Sequence, residues 1–334
     1  MDWNSGYSAR YYASIVNTET WKDSEPFGFT SGSVSHSDSG LLESADINCR
    51  EFDYTGEKWI RIYIDARQSG MGAREPIFTG LAVYPEVSID GSSKEYSLEC
   101  YSVLKPAEDV LLERGWYAPA KMNGAVLIKR LLSVTPAPVE IKGEAPALSK
   151  AIIAEDNETN LSMVWRILTA IGWRLRIRGD GTIVVCPVAD EAAYFFDPIK
   201  NDSIEPKVSL KRDWFSCPNV LKVTQDDLTA VARDDSPNSP LSTVCRGREV
   251  WEVETSVDTN TGESLASYAR RRLRECQAIG LSISYDRRFQ PDLLVGDIVN
   301  LHYPEQGIEG PFRITSQKIE LGYNGRTSEE VVQT

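Results

Sequence analysis

The clearest pattern of apolar and polar positions lies at residues 160–187, NLSMVWRILTAIGWRLRIRGDGTIVVCP. Leu161, Val164, Trp165, Leu168 and Ile171 recur at the i, i+3, i+4, i+7 spacing of one helix face. Asn160 can cap the start by accepting from a free backbone N–H, and Gly172 stands where a helix stops in a left-handed residue. The period then becomes two. Trp173, Leu175 and Ile177 alternate with Arg174, Arg176 and Arg178, which predicts a strand with an apolar face and a solvent-side arginine face. Gly179-Asp180-Gly181 turns the chain, and 182–186 returns as a second β-rich run. This is not a phosphate loop. A Walker-type loop follows a strand, ends in Gly-Lys-Ser/Thr and opens a helix; here the order is reversed and the lysine is missing.

Elsewhere the pattern is mostly that of strands. KWIRIYIDA, PIFTGLAVYPEVSID and EYSLECYSVL predict three in the N-terminal third, the last two separated by the turn Asp90-Gly91-Ser92-Ser93. This part reads as a β-barrel or sandwich. Beyond Pro106, EDVLLERGWYAPAKMNGAVLIKRLL is helical in pieces, interrupted by Gly115 and Pro119, and a Pro-rich connection leads to the helix–hairpin unit. From Ser203 the chain is β-rich again. PNVLKVTQDD and RGREVWEVETS read as a hairpin whose long tip is ARDDSPNSPLS. GESLASYARRRLRECQAIG is a helix with Leu265, Ala269, Leu273 and Cys276 as its apolar stripe, and LSISYDRRF, LLVGDIVNLHYP and PFRITSQKIELGYNG close in strands. Residues 78–91 (FTGLAVYPEVSIDG) and 312–325 (FRITSQKIELGYNG) form a weak internal repeat in which Glu86 matches Glu320. It predicts two similar β-modules, one at each end.

A chain of 334 residues accommodates about two to three domains. No run approaches the ~20 apolar residues of a membrane span, and the start MDWNSGYSARYY lacks the apolar core of a signal peptide. The net charge of −13 argues against a general nucleic-acid binder, though it does not exclude a surface over which DNA slides without sticking. The six cysteines, Cys49, Cys100, Cys186, Cys217, Cys245 and Cys276, are widely spaced, which fits free thiols in a reducing compartment rather than zinc or redox frameworks.

Candidate chemistry is sparse. His36 sits in Ser/Gly-rich text and His302 in a predicted strand. The pairs Asp226-Asp227 and Asp234-Asp235 could hold a metal or act as acid and base, but lie in loop-like text where such residues form solvated turns. Arg270, Arg271, Arg272 and Arg274 could contact nucleic acid, or pair with carboxylates of their own chain or a neighbour. Trp116 and Tyr117 could stack on sugars or act as core or interface anchors. No segment combines a nucleophile, a base and an orienting group, so the expectation is no enzyme, no cofactor and no metal.

Taken in order, CYSVLKP, RGWYAP, GWRLRIRGDGTIVV, DWFSCPNVLKV, SPLSTVCRGREVWEVE, YARRRLRE and PDLLVGDIVNLHYPEQGIEGPFRITSQKIEL resemble the baseplate hub proteins of tailed bacteriophages and phage-tail-like particles. The similarity lies in pattern and order and covers nearly the whole chain. It implies a mainly β fold with α+β insertions: two tube-type β-barrel domains plus a small α/β region. Residues 1–106 would form the first barrel, 107–202 the α/β domain, and 203–258 with 289–334 the second barrel. Residues 259–288 would be a helix–strand insertion packing with the α/β domain. It further implies a homotrimer around a DNA channel, made in the host bacterial cytoplasm for the virion. Its partners would be a central spike, tail tube or distal tail proteins and other baseplate proteins, with no membrane insertion and no specific DNA binding. Trp116, Tyr117, Arg270, Arg271 and Arg274 are the candidate subunit or partner contacts. Relatives that carry a fused peptidase or lysin domain would differ from this chain, which ends soon after its last predicted strand. The rival readings are a cell-wall hydrolase and a glycan-binding tail protein.

Overall fold

Strands whose side chains alternate between core and solvent add edge to edge, and here they do so across most of the chain. The computed structural model describes residues 1–52, 56–91, 93–188, 192–196, 204–212, 214–257, 259, 263–278, 281–322 and 325–333. Expected boundary positions 202, 203 and 258, Ser92 of the predicted turn, and Tyr323 and Asn324 of the repeat lie outside the described residues.

The protein is mainly β with α+β insertions. A 13-stranded sheet runs in the order Ile204–Arg212, Leu281–Arg287, Thr327–Gln333, Ile308–Glu320, Ser31–Ser37, Glu43–Cys49, Ser93–Ser102, Met71–Asp90, Lys58–Gln68, Ser8–Asn17 and Lys22–Phe27. Ile298–Tyr303 branches from Ile308–Glu320 and carries Ala192–Phe196 as a parallel partner. The seam between the N-terminal and C-terminal strands is the antiparallel pair Ser31–Ser37 and Ile308–Glu320, in register from Ser37↔Ser316 to Ser33↔Glu320.

Two clusters of inward side chains hold this sheet. Ile60, Ile62, Ile64, Phe78 and Leu98 pack at the N-terminal end together with Ile319 and Leu321 from across the seam. Phe196, Ile283, Leu301, Phe312 and Val331 pack at the C-terminal end. Each such side chain, fully buried, contributes about 1.5–3 kcal/mol.

The α/β region has its own core. Helix Asn160–Ile171 buries Leu161, Met163, Val164, Ile167 and Leu168, and ends as expected at Gly172 in the left-handed conformation, φ 67°. Its cap is Thr159, whose Oγ1 accepts from Ser162 N, rather than Asn160. Asn160 turns inward and donates to Leu131 O at 3.1 Å. Strands Trp173–Ile177 and Ile183–Pro187 form the predicted hairpin, and Val139–Ile141 adds in parallel to the second.

One expectation is corrected. The strand Val220–Gln225 does not form a long-tipped hairpin with Trp251–Glu254; these two are parallel neighbours. Its antiparallel partner is Leu228–Arg233, reached through a tight turn at Asp226, φ 50°. Helix Leu265–Ala278 covers the 220–254 strands through Tyr268, Ala269 and Leu273 on Leu221, Val223 and Ala232, because its stripe matches the apolar face of that sheet. Strand Leu281–Arg287 instead joins the long sheet between Ile204–Arg212 and Thr327–Gln333.

Candidate functional site

The arginines of Trp173–Ile177 are not a solvated face, as the alternation predicts, but a clamp. Arg174 Nη1 donates to Gly296 O at 2.6 Å, and Arg176 Nη2 donates to Asp297 Oδ2 at 2.8 Å. Asp297 is 7% exposed, and its Oδ2 also accepts from Leu294 N. Arg178, at the end of the row, pairs with Glu140 at 2.9 Å.

The hairpin tip makes the second half of the junction. Asp180 O accepts from Trp21 Nε1 at 2.9 Å and from Arg61 Nη2 at 3.0 Å, while Thr79 Oγ1 donates to Gly179 O at 2.8 Å. A Cβ on Gly179 would lie 1.9 Å from Pro76 O, so only glycine lets the two backbones approach this closely. One hairpin therefore grips the N-terminal strands by its tip and the C-terminal strands by its arginine face. The N-terminal segment adds a third tie, with Tyr7 OH donating to Phe289 O at 2.8 Å.

The loop carboxylates are engaged locally. Asp234 accepts from Ser236 N, Ser239 Oγ and Gln277 Nε2, and Asp235 from Arg233 and Thr243. Hydrogen bonds from Thr243 and Arg233 hold the Asp235 carboxyl below its usual range. Among the described residues, no group of three or more His, Cys, Asp or Glu could hold a metal ion. His302 pairs with Glu309 at 3.1 Å. His36 is mostly buried at the seam, its side chain 11% exposed and 3.6 Å from Glu43, and desolvation pushes its imidazole down to about 4. The six cysteines are thiols rather than disulfides; Cys49 and Cys100 are buried, and desolvation pushes the Cys49 thiol up to about 11.

The candidate contact residues separate into two kinds. Trp116 is half-buried against the α/β core, while Tyr117 is 55% exposed beside its cross-strand neighbour Ile153, 68% exposed. Arg271 is held within the chain by Glu263 and Glu275. Arg270 and Arg274, one helical turn apart and exposed, bond only to their own helix backbone among the described residues.

Sequence reasoning did not identify the two strands that, among the described residues, end the main run of the long sheet. Ile204–Arg212 presents the exposed Lys207 and Lys211, and Lys22–Phe27 presents Glu25. Each edge strand also carries a proline, Pro206 and Pro26, which removes a ladder donor. Along the seam, a groove of about 1090 Å³ is lined by Asp46, Glu86, Glu99 and Glu320 against Lys318 and Arg326.

Comparison by sequence finds no matching family model and no matching curated protein. Comparison by structure finds tail proteins. The tail protein from Neisseria meningitidis MC58 is 17% identical, with 97% of each chain covered and a TM-score of 0.71. The 43 kDa tail protein of prophage MuSo2 from Shewanella oneidensis is 13% identical, with 98% of this chain and 97% of that one covered and a TM-score of 0.69. The prophage tail protein gp18 from Listeria monocytogenes is 14% identical, with 97% and 94% covered and a TM-score of 0.56. The chain thus shares its fold, over nearly its full length, with proteins of phage tails, in agreement with the resemblance read from its sequence.

Proposed function

We propose that this protein is a structural component of a phage or phage-like tail and, within it, the baseplate hub that joins the tail tube to a central spike around the DNA channel. The observation that carries this reading is a single sheet spanning an N-terminal and a C-terminal β-module, whose main run ends, among the described residues, in Ile204–Arg212 and Lys22–Phe27. On this reading each module is one tube-type barrel, and three copies make a ring of six. A heterologous contact that joins one end of a subunit to the opposite end of the next closes a ring when the rotation permits. The two end strands are both charged, with Lys207 and Lys211 on one and Lys22, Asp23 and Glu25 on the other, which leaves room for ion pairs across such a contact. Pro26 and Pro206 make side-chain contact a better fit than a continued hydrogen-bond ladder.

The remaining assignments follow from that frame. The acidic groove at the seam would belong to a channel wall that repels DNA mildly, so that phosphate is not held by lysine and arginine contacts. Arg270, Arg274 and Tyr117, exposed and lightly engaged, would face the neighbouring subunit, the spike or the tube, while Trp116 and Arg271 would support them. The protein would act without enzymatic chemistry, assemble in the host cytoplasm and end in the virion.

Native mass measurement of the purified protein with its spike partner tests this. Three copies per complex, with a ring in negative-stain images, is the expected result; any other stoichiometry overturns it. Clearing of cell-wall substrate by the pure protein, abolished by Asp226→Asn or Asp234→Asn, would instead favour the hydrolase.

A further inference from the structure

A cavity of about 190 Å³ lies where the three parts of the chain meet. His36 and Glu43 line it from the N-terminal strands, Arg174 and Arg176 from the hairpin, and Gly296 and Arg313 from the C-terminal part. Three of these side chains leave buried polar atoms with no hydrogen-bond partner in the protein: both carboxyl oxygens of Glu43, Nε of Arg174 and Nε of Arg176. The Glu43 side chain is 1% exposed, and His36 Nδ1 at 3.6 Å is too distant for a hydrogen bond. Each arginine already uses an Nη group on Gly296 or Asp297, and its Nε–H is the buried donor left without a partner in the protein. Buried polar groups are almost always satisfied, and four such atoms around one small space call for a common partner.

The chemistry of the lining selects that partner. An anion suits the guanidinium groups of Arg174, Arg176 and Arg313, but it can only accept, so it leaves a Glu43 oxygen without a donor, and it meets the Asp38 carboxyl. A metal cation suits the carboxyls but meets the guanidinium groups. The ligand must accept from N–H and also bond to a carboxyl oxygen, and water does both. At roughly 30 Å³ per molecule the cavity has room for about six. We infer that ordered water fills this cavity and bridges Glu43 to the Nε–H groups of Arg174 and Arg176, so that the hairpin is joined to the seam by a hydrated lock as well as by direct contacts.

A high-resolution crystal structure of the full chain, with a second crystal soaked in bromide, tests this directly. Water peaks within hydrogen-bond distance of a Glu43 carboxyl oxygen and of both Nε atoms are expected. A dry cavity with Glu43 bonded straight to either arginine overturns the inference, as does a bromide peak between the two Nε atoms. Hydrogen exchange supplies a second arm. Glu43→Gln keeps polar atoms that water can bridge and should leave exchange in Trp173–Ile177 at the wild-type rate. Glu43→Leu should speed it on the order of tenfold while leaving Val220–Gln225, which belongs to another core, unchanged. Equal exchange in the two variants overturns the bridge; if Glu43→Leu fails to fold, the crystal decides.

Discussion

Arg176 Nη2 lies 2.8 Å from Asp297 Oδ2, and the same carboxylate lies 3.6 Å from Arg174, so one nearly buried acid holds two arginines from a distant hairpin. Removing one partner of such an arrangement leaves buried charge uncompensated. Asp297→Ala should therefore cost about 2–4 kcal/mol, below the value for a fully buried pair because the arginines keep some solvent contact. Denaturant unfolding measures it, and a loss no larger than that of an ordinary surface substitution would show that the clamp contributes little.

Gly179 meets Pro76 backbone where a Cβ has no room. Gly179→Ala should push the hairpin tip off its seat and cost about 1–3 kcal/mol. Gly6→Ala, with nothing within 4 Å, is the control and should leave the melting temperature unchanged.

The pair His36 and Glu43 should give the protein two opposed pH limbs. Burial lowers the His36 pKa to about 4 from 6.5, so the unfolded chain binds the extra proton and stability falls as pH drops from 6.5 towards 4. Burial, and then the nearby Asp180 charge, raise the Glu43 pKa well above 4.5. Here the folded state holds the proton, and stability falls as pH rises from 4.5 through the raised value. His36→Gln should flatten the acid limb and Glu43→Gln the other; stability curves that keep their shape in both variants would remove the pair as the cause.

Arg287 and Glu329 form an ion pair with both side chains 0% exposed, Arg287 Nε donating to Glu329 Oε2 at 2.8 Å. Glu329→Ala should cost about 3–5 kcal/mol, whereas Arg287→Met with Glu329→Leu should recover most of it. A double-mutant cycle by chemical denaturation gives the comparison, and additive losses would sink the prediction.

On the proposed ring, the end strands Ile204–Arg212 and Lys22–Phe27 predict a charge swap. Lys207→Glu with Lys211→Glu should block assembly without lowering monomer stability by more than about 0.5 kcal/mol, since both are exposed. Adding Glu25→Lys should restore part of it at low salt. Assembly that ignores both changes in mass measurements would rule out this edge contact.

Local pattern revealed the elements better than their neighbours. The helix Asn160–Ile171 was legible because its apolar stripe and Gly172 are read within one segment. The role of Arg174 and Arg176 was not: alternation tells which residues share a face, but not that Gly296 and Asp297 cover it from more than a hundred positions away. A signal did exist in Gly179. The turn needs a left-handed residue only at Gly181, φ 79°, so the extra glycine pointed to a close backbone approach. The partner of Val220–Gln225 was misread because its turn uses Asp226, with no glycine to mark it. The helix Leu265–Ala278 was found, but an apolar stripe does not say which sheet it will cover.

The seam has a consequence for biosynthesis. Strand Ser31–Ser37 leaves the ribosome long before its partner Ile308–Glu320. Until that partner emerges, the N-terminal strands are without the chain that completes their sheet, with Ile319 and Leu321 missing from their core. The module can collapse early but can seal only once Ile308–Glu320 has been made, which makes the nascent chain a natural client for chaperones that shield unpaired strands.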